Sequence, residues 1–351
     1  MNISKENNPI LAVVSSSGNQ IHFFNAKNFE RIGLIDSPVT EPHELCFDSK
    51  RQLLYVSITY RSGFYRNNPE KSHEILVIDI DQFKVIDIID ISPEFAPHGL
   101  VYNEKKDLLY VSVESGEGGI LIINPNTRKV LDRITTAATG PHWFVTNPDG
   151  TKGYSSNKEA PFISVLDTDT KELIGKVSMP YGSEELAISP KGNRVYIPSP
   201  CLLGDYKEEQ PTLSIINTET DEIIKTKSFS DLITPVHVTN DGKVLVGHTR
   251  FQNKNGERTR SMFSPAPGYV SVLDGESLNV LGTIEVELLP ITIRSSTDGT
   301  VGYVSNLRSG TISVLDLVNY KNVHTIEVDP GDRNADPSVN QGAHGIAYIE
   351  R

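Results

Sequence analysis

Along the chain, apolar and polar positions alternate in short runs of six or seven residues separated by turns, and no stretch holds a helical period. From His98 the order is HGLVYNEKKDLLYVSV, a loop ESGEGG, then ILIINPNTRKVLDRI: strand, polar turn, strand, loop, strand, short turn, strand. It returns from His142 as HWFVTNPDGTKGYSSN and FISVLDTDTKELIGKV, and from Glu184 as EELAISPKGNRVYIPS and LSIINTETDEIIKTK. Ile291 opens ITIRSSTDGTVGYVSN and ISVLDLVNYKNVHTI, His43 opens another unit, and one more begins near Pro235 and ends near Val286. The runs are rich in Val, Ile and Tyr, which suit a pleated, half-buried surface. Asp149-Gly150, Lys191-Gly192, Asp241-Gly242 and Asp298-Gly299 fall between the first two runs, where tight hairpins need residues tolerant of positive φ. The shortest units span about 40 residues, the period of a four-stranded propeller blade.

Six units are complete. The C-terminus adds one strand, His344 to Ile349, and the N-terminus three: Ile10 to Ser15, Gln20 to Asn25 and Arg31 to Ile35. One and three make a seventh blade that closes the ring and removes both open edges. The expectation is an all-β, seven-bladed β-propeller forming a single domain over residues 1–351.

Tyr303-Val304-Ser305-Asn306 followed by Gly310-Thr311-Ile312-Ser313-Val314-Leu315-Asp316 resembles the YVTN repeat of bacterial seven-bladed propellers. Tyr154-Ser155-Ser156-Asn157 with Ile163-Ser164-Val165-Leu166-Asp167 is similar, and Leu109-Tyr110-Val111-Ser112 less completely so. This resemblance to the YVTN-repeat, lactonase-like superfamily covers the whole chain and implies the propeller fold. It implies function only broadly, because lactonases, lyases, metal-dependent enzymes and binding proteins share that fold.

In such a blade the first strand lies innermost, beside the central channel. The loops entering strand one and joining strands two and three open on one face, and the short turns on the other. The long insertions, Thr59 to His73, Pro198 to Pro211, His248 to Gly268 and Asp329 to Ala343, all belong to the first face. A scaffold that varies loop length on one face keeps its site there. Four of the nine histidines enter strand one on that same face: Pro42-His43-Glu44-Leu45, Pro97-His98-Gly99-Leu100, Pro141-His142-Trp143-Phe144 and Ala343-His344-Gly345-Ile346. Glu184, Pro235 and Ile291 fill the column in the other blades.

Neutral imidazoles are common transition-metal ligands. His43, His98, His142 and His344 on one arc, with Glu184 beside them, suit a divalent ion such as Fe, Mn, Zn, Ni or Cu. An open side toward Pro235 and Ile291 leaves room for water or substrate. Two rival readings use the same residues. The histidines are copies inherited with the blade that bond neighbouring backbone, or they act without metal as a general base and donors to an anionic substrate. His237, displaced by two residues from the column, and His248, at the end of a second strand, join Glu184 as candidate catalytic groups. Arg61 and Tyr65 in the first insertion and Arg250 in the third are candidate substrate-binding residues, with Tyr60, Arg66, Arg258 and Arg260 nearby. Glu114, Asn157 and Asn306 end second strands, where they could orient ligands from behind. Trp143 is read as packing between blades, and His22, His73 and His324 as ordinary strand or loop residues.

Composition narrows the class. A net charge of −12 argues against nucleic acid or an anionic membrane as partner, which leaves a small-molecule substrate as the expected one. No apolar run approaches the ~20 residues of a membrane span. Met1 to Asn8 lack the basic start and apolar stretch of a signal peptide, so a cytoplasmic location is expected. Cys46 and Cys201 are too few for a disulfide framework or a cysteine metal site, and Cys46 reads as a small buried residue. Together these readings point to a metal-dependent enzyme with a His-lined site at the channel mouth. The resemblance makes hydrolysis of a lactone or related small ester the default reaction. A lyase, an oxygen-using enzyme at the same histidines, and a non-catalytic binding propeller are the alternatives.

Overall fold

The computed structural model describes residues 8–61, 70–200, 210–252, 255–257, 264–329 and 341–350. Its strands form seven antiparallel sheets of four, each a blade. Blade one comprises Pro42–Asp48, Leu53–Ile58, Glu74–Asp79 and Lys84–Asp90. Blade seven is composite as expected: Ile346–Ile349 pairs with Ile10–Ser15, placing Val13 opposite Ile346, and Gln20–Asn25 and Arg31–Asp36 complete the sheet. Among the described residues no helix is long and apolar enough to cross a membrane.

Burial explains the ring. Second and third strands such as Leu53–Ile58 and Glu74–Asp79 are covered on both faces, whereas the fourth strand Lys84–Asp90 alternates between exposed and half-buried positions. Each of the seven apolar clusters therefore lies between two blades. Tyr55 and Val77 of blade one pack on Leu100 and Leu109 of blade two, and Ile58 and Leu76 pack on Val14 and Phe23 of blade seven. A fully buried Ile or Leu contributes about 1.5–3 kcal/mol, so no blade covers its core alone.

The tyrosine that begins the repeated motif fastens neighbouring blades. The Tyr154 hydroxyl donates to Asp221 Oδ1 at 2.7 Å, that of Tyr196 to Gly275 O at 2.8 Å and that of Tyr303 to Ala26 O at 3.1 Å, each acceptor lying in the next blade. A buried tyrosine hydroxyl needs such a partner. At the hairpins, Gly150, Gly192, Gly242 and Gly299 take positive φ, and the Gly150 amide closes on Asn147 O at 2.9 Å.

Two expectations shift in detail. The inner strand of blade four, expected from Glu184, is only Ala187–Ile188, while that of blade five begins earlier, at Leu232. In blade four Pro198 supplies no amide at that end of the second strand. Ser183 Oγ bonds Pro198 O instead, at 2.6 Å, and Glu184 and Glu185 leave the ladder. The insertions fall largely outside the described residues, as do Tyr65, Arg66, Arg258, Arg260 and Cys201. Burial pushes the Cys46 thiol up to about 12, and its sulfur accepts the Tyr102 amide at 3.2 Å, so it is no nucleophile.

Candidate metal centre at the channel mouth

Every histidine of the column on a paired inner strand sits in a β-bulge. Pro42 faces Ile58 and Leu45 faces Val56, so His43 and Glu44 together stand against Ser57. His98 and Gly99 stand likewise against Ser112, and His142 and Trp143 against Ser156. A bulge interrupts the ladder and re-aims side chains. Its spare amide is satisfied by the opposing serine: Glu44 N donates to Ser57 Oγ at 3.2 Å and Trp143 N to Ser156 Oγ at 2.9 Å. Serine also ties blade to blade, since Ser112 Oγ donates to His142 O at 2.7 Å and Ser156 Oγ to Glu184 O at 2.9 Å. Where glycine follows histidine, strands approach closely. A Cβ on Gly99 would lie 2.8 Å from His142 O, and one on Gly345 2.5 Å from His43 O.

The four imidazoles consequently meet in one arc. Ring centroids are 4.1 Å apart for His43–His344, 5.1 Å for His43–His98 and 4.4 Å for His98–His142. Ligand atoms of His43, His98 and His142 lie within 4.8 Å of one another, and so do those of His43, Glu44 and His344. His43 belongs to both groups. Burial, then the neighbouring imidazoles and Lys158, hold His43 well below the ordinary histidine value. Burial, then His98 and Lys158, do the same for His142. Neutral imidazole is the form that binds metal.

Partners behind the rings fix their orientation. His98 Nε2 lies 3.0 Å from Glu114 Oε1, and Glu114 also receives the Tyr60 hydroxyl and, at 2.6 Å, Lys71 Nζ. Burial alone would raise the Glu114 carboxyl, but bonding and charge from His98, with Lys71 and Tyr60, outweigh it and hold it at about 2. His142 Nδ1 lies 2.8 Å from Glu184 O. Other polar atoms are unsatisfied: among the described residues, His98 Nδ1 and Glu44 Oε2 are buried without a hydrogen-bond partner. His344 Nδ1 lies 3.2 Å from Glu44 Oε1 without hydrogen-bond alignment. Buried polar atoms without partners are uncommon and expensive. Four converging imidazoles, two of them held neutral and two with uncommitted nitrogens, form with the carboxylate a donor set that fits a divalent transition ion.

Beneath the histidines, Arg294 of blade six reaches across the channel. Its guanidinium carbon lies 5.2 Å from the Trp143 ring centre in blade three, and Nη1 lies 3.4 Å from Glu185 Oε1 in blade four. Glu185 Oε2 accepts the Val236 amide at 3.1 Å. Burial, opposed by Arg294 and aided by the Glu44 charge, pushes the Glu185 carboxyl up to about 8. Folded protein thus keeps a proton here that the unfolded chain, with an ordinary value of 4.5, releases. Stability from this group is present at low pH and is lost as pH rises through about 8. Glu185→Gln is expected to narrow the difference in melting temperature between pH 5 and pH 9. Parallel melting curves for the two proteins would show that Glu185 titrates normally.

The remaining candidates are dispersed. Glu184 enters through its carbonyl, while its carboxylate pairs with Lys158 at 3.1 Å. His237 turns to Ser295 Oγ at 2.9 Å, and burial lowers it to about 3. His248 is enclosed between Tyr269, stacked at 4.1 Å, and Phe229. Arg61 pairs with Glu74, and Arg250 lies over Tyr269 with Nε bonded to Pro267 O at 2.5 Å. Asn157 and Asn306 bond residues of their own blades, Ser164 and Ser313, both at 3.0 Å. Trp143 packs between blades three and four, as expected, and also carries Arg294. His22 is buried against Phe24, His73 bonds Glu94 O at 2.6 Å and His324 stacks on Phe29. Sequence reasoning missed Glu44, Glu185, Arg294 and the serine column. The one available signal was the serine recurring at Ser57, Ser112, Ser156 and Ser305, in each case the fifth residue of a second strand.

No family model matches the chain. It is 22% identical over 209 residues to the uncharacterized protein YncE of Salmonella typhimurium, and equally so to that of Salmonella typhi. The match covers 58% of this chain and 53% of the relative, so the chain spans about half the length of the curated relatives it matches. Among solved structures, a chain of Kuenenia stuttgartiensis hydrazine synthase superposes with a TM-score of 0.69 at 14% identity, covering 90% of this chain and 97% of that one. A protein of unknown function from Desulfotomaculum acetoxidans gives 0.68 at 13%, covering 97% and 99%. At such identities the likeness is one of fold.

Proposed function

We propose that the protein is a metal-dependent enzyme whose divalent ion is held by His43, His98, His142 and His344 at the channel mouth. One observation carries this reading: imidazoles from four consecutive blades converge, with buried donor atoms that no protein group among the described residues satisfies. An ion bound there would supply Lewis acidity toward a carbonyl and lower the pKa of bound water. The chain's own groups prepare the place. Ionised Glu114 fixes the face of His98, and the Glu184 carbonyl fixes that of His142. Arg294 on Trp143 obstructs the channel below, so a substrate is read as entering past the histidine face.

The substrate class we favour is a lactone or related small ester, on the resemblance to lactonase-like propellers. The same ligands would serve a lyase or an oxygen-using enzyme. The test is metal analysis of untagged protein together with turnover of a lactone panel. About one equivalent of a single transition metal is expected, and His43→Ala, which breaks both groups of converging ligands, should lose both metal and turnover. Less than half an equivalent, unchanged in His43→Ala, would refute the metal reading. Full metal with no lactone turned over would refute only the hydrolase.

A further inference from the structure

The bulge that aims His43 also delivers the next residue to the same place, and that residue is a carboxylate. Glu44 is 3% exposed, and its amide is held by Ser57 Oγ at 3.2 Å. Its carboxylate lies against His344 Nδ1 at 3.2 Å, and Oε2 has no hydrogen-bond partner among the described residues. Among the described residues no Lys or Arg pairs with it. The space is shaped for this side chain. A Cβ on Gly345 would come within 3.1 Å of Glu44 Oε2, so any residue larger than glycine there would crowd the carboxylate. A buried carboxylate persists when it is paired or coordinates a metal, and the imidazoles of His43 and His344 are in place around this one.

We propose that Glu44 is itself a metal ligand, with His43 and His344, so that the ion binds to a two-histidine, one-carboxylate face of the arc. This inference rests on the metal reading above and deepens it. Two consequences follow from the chemistry of the donors. An anionic oxygen donor suits Mn(II) and Fe(II), whereas an all-imidazole set suits Zn(II) and Cu(II) equally well. Without metal, the same buried side chain keeps an oxygen that has no hydrogen-bond partner among the described residues, which weakens the fold.

The experiment is titration of Mn(II) and Zn(II) into chelator-stripped, full-length protein, comparing wild type, Glu44→Gln and Glu44→Asp, with melting curves of the three metal-free proteins. Glu44→Gln is expected to weaken Mn(II) by at least the roughly 10- to 100-fold that loss of even an indirect ligand partner costs. Zn(II) should change less, and Glu44→Asp should recover part of the Mn(II) affinity. Metal-free Glu44→Gln should melt at or above wild type. Wild-type Mn(II) affinity in a folded Glu44→Gln protein would overturn the inference and leave the histidine site standing. A metal-free Glu44→Gln protein that melts well below wild type, or fails to fold, would assign the carboxylate a structural role and overturn it as well. If wild type binds neither ion, the metal reading and this inference fail together.

Discussion

Replacing His43 with alanine is expected to abolish transition-metal binding while leaving the propeller folded. His43 is the ring common to both groups of converging ligands, so its loss leaves neither group with three donors. Its ring makes no hydrogen bond to another described residue, and no charged partner is stranded when it goes. The cost to stability should therefore be small, about 1 kcal/mol, as for most substitutions that break no network. His98→Ala is a poorer probe. It removes the imidazole on which buried, ionised Glu114 leans, and a carboxylate that loses a buried partner destabilises by its own desolvation. Metal content by mass spectrometry and a melting curve decide the matter. His43→Ala protein that keeps a full equivalent of metal would remove the histidine arc from consideration. A variant that unfolds would return the repeated histidines to an inherited structural role.

Removing residues 344–351 is expected to open the ring and abolish cooperative folding. Ile346 and Ile349 are fully buried, and Ile346 belongs to the cluster between blades six and seven while Ala347 and Ile349 belong to that between seven and one. At about 1.5–3 kcal/mol for each large apolar side chain, with the lost ladder to Ile10–Ser15 besides, the deficit approaches the 5–15 kcal/mol net stability typical of a domain. The strand left behind becomes an open apolar edge, a template for aggregation. Calorimetry of the chain ending at Ala343 should show a broad, weak or absent transition. A transition matching the full-length protein would mean that the closing strand contributes nothing to the ring.

Much of the fold was legible because its determinants are local. Alternation of apolar residues marks a strand, and a glycine at positive φ marks a hairpin, wherever they stand. The composite seventh blade could be counted from strands left over at the two ends. The arc of histidines was legible for the same reason, since a residue repeated at one register of successive blades must occupy one level of the ring. Glu44 was not. Strict alternation assigns consecutive residues to opposite faces, and only a bulge puts His43 and Glu44 against the same serine. His237 and His248 misled in the opposite direction. Their positions near the column did not disclose that one turns to Ser295 and the other fills a gap between aromatic rings.

By itself, then, the sequence determined the strand repeat, the number of blades, the closure by both termini and the level at which four histidines gather. These follow from period and pattern, which neighbouring residues carry among themselves. Only the tertiary structure decided which groups complete the site. Arg294 meets Glu185 across 109 positions of chain, Glu44 meets His344 across the seam between the first and last blades, and Glu114 of blade two meets Lys71 and Tyr60 of blade one. No local pattern encodes those meetings, because they arise when the blades close into a ring and bring distant inner strands to a shared channel.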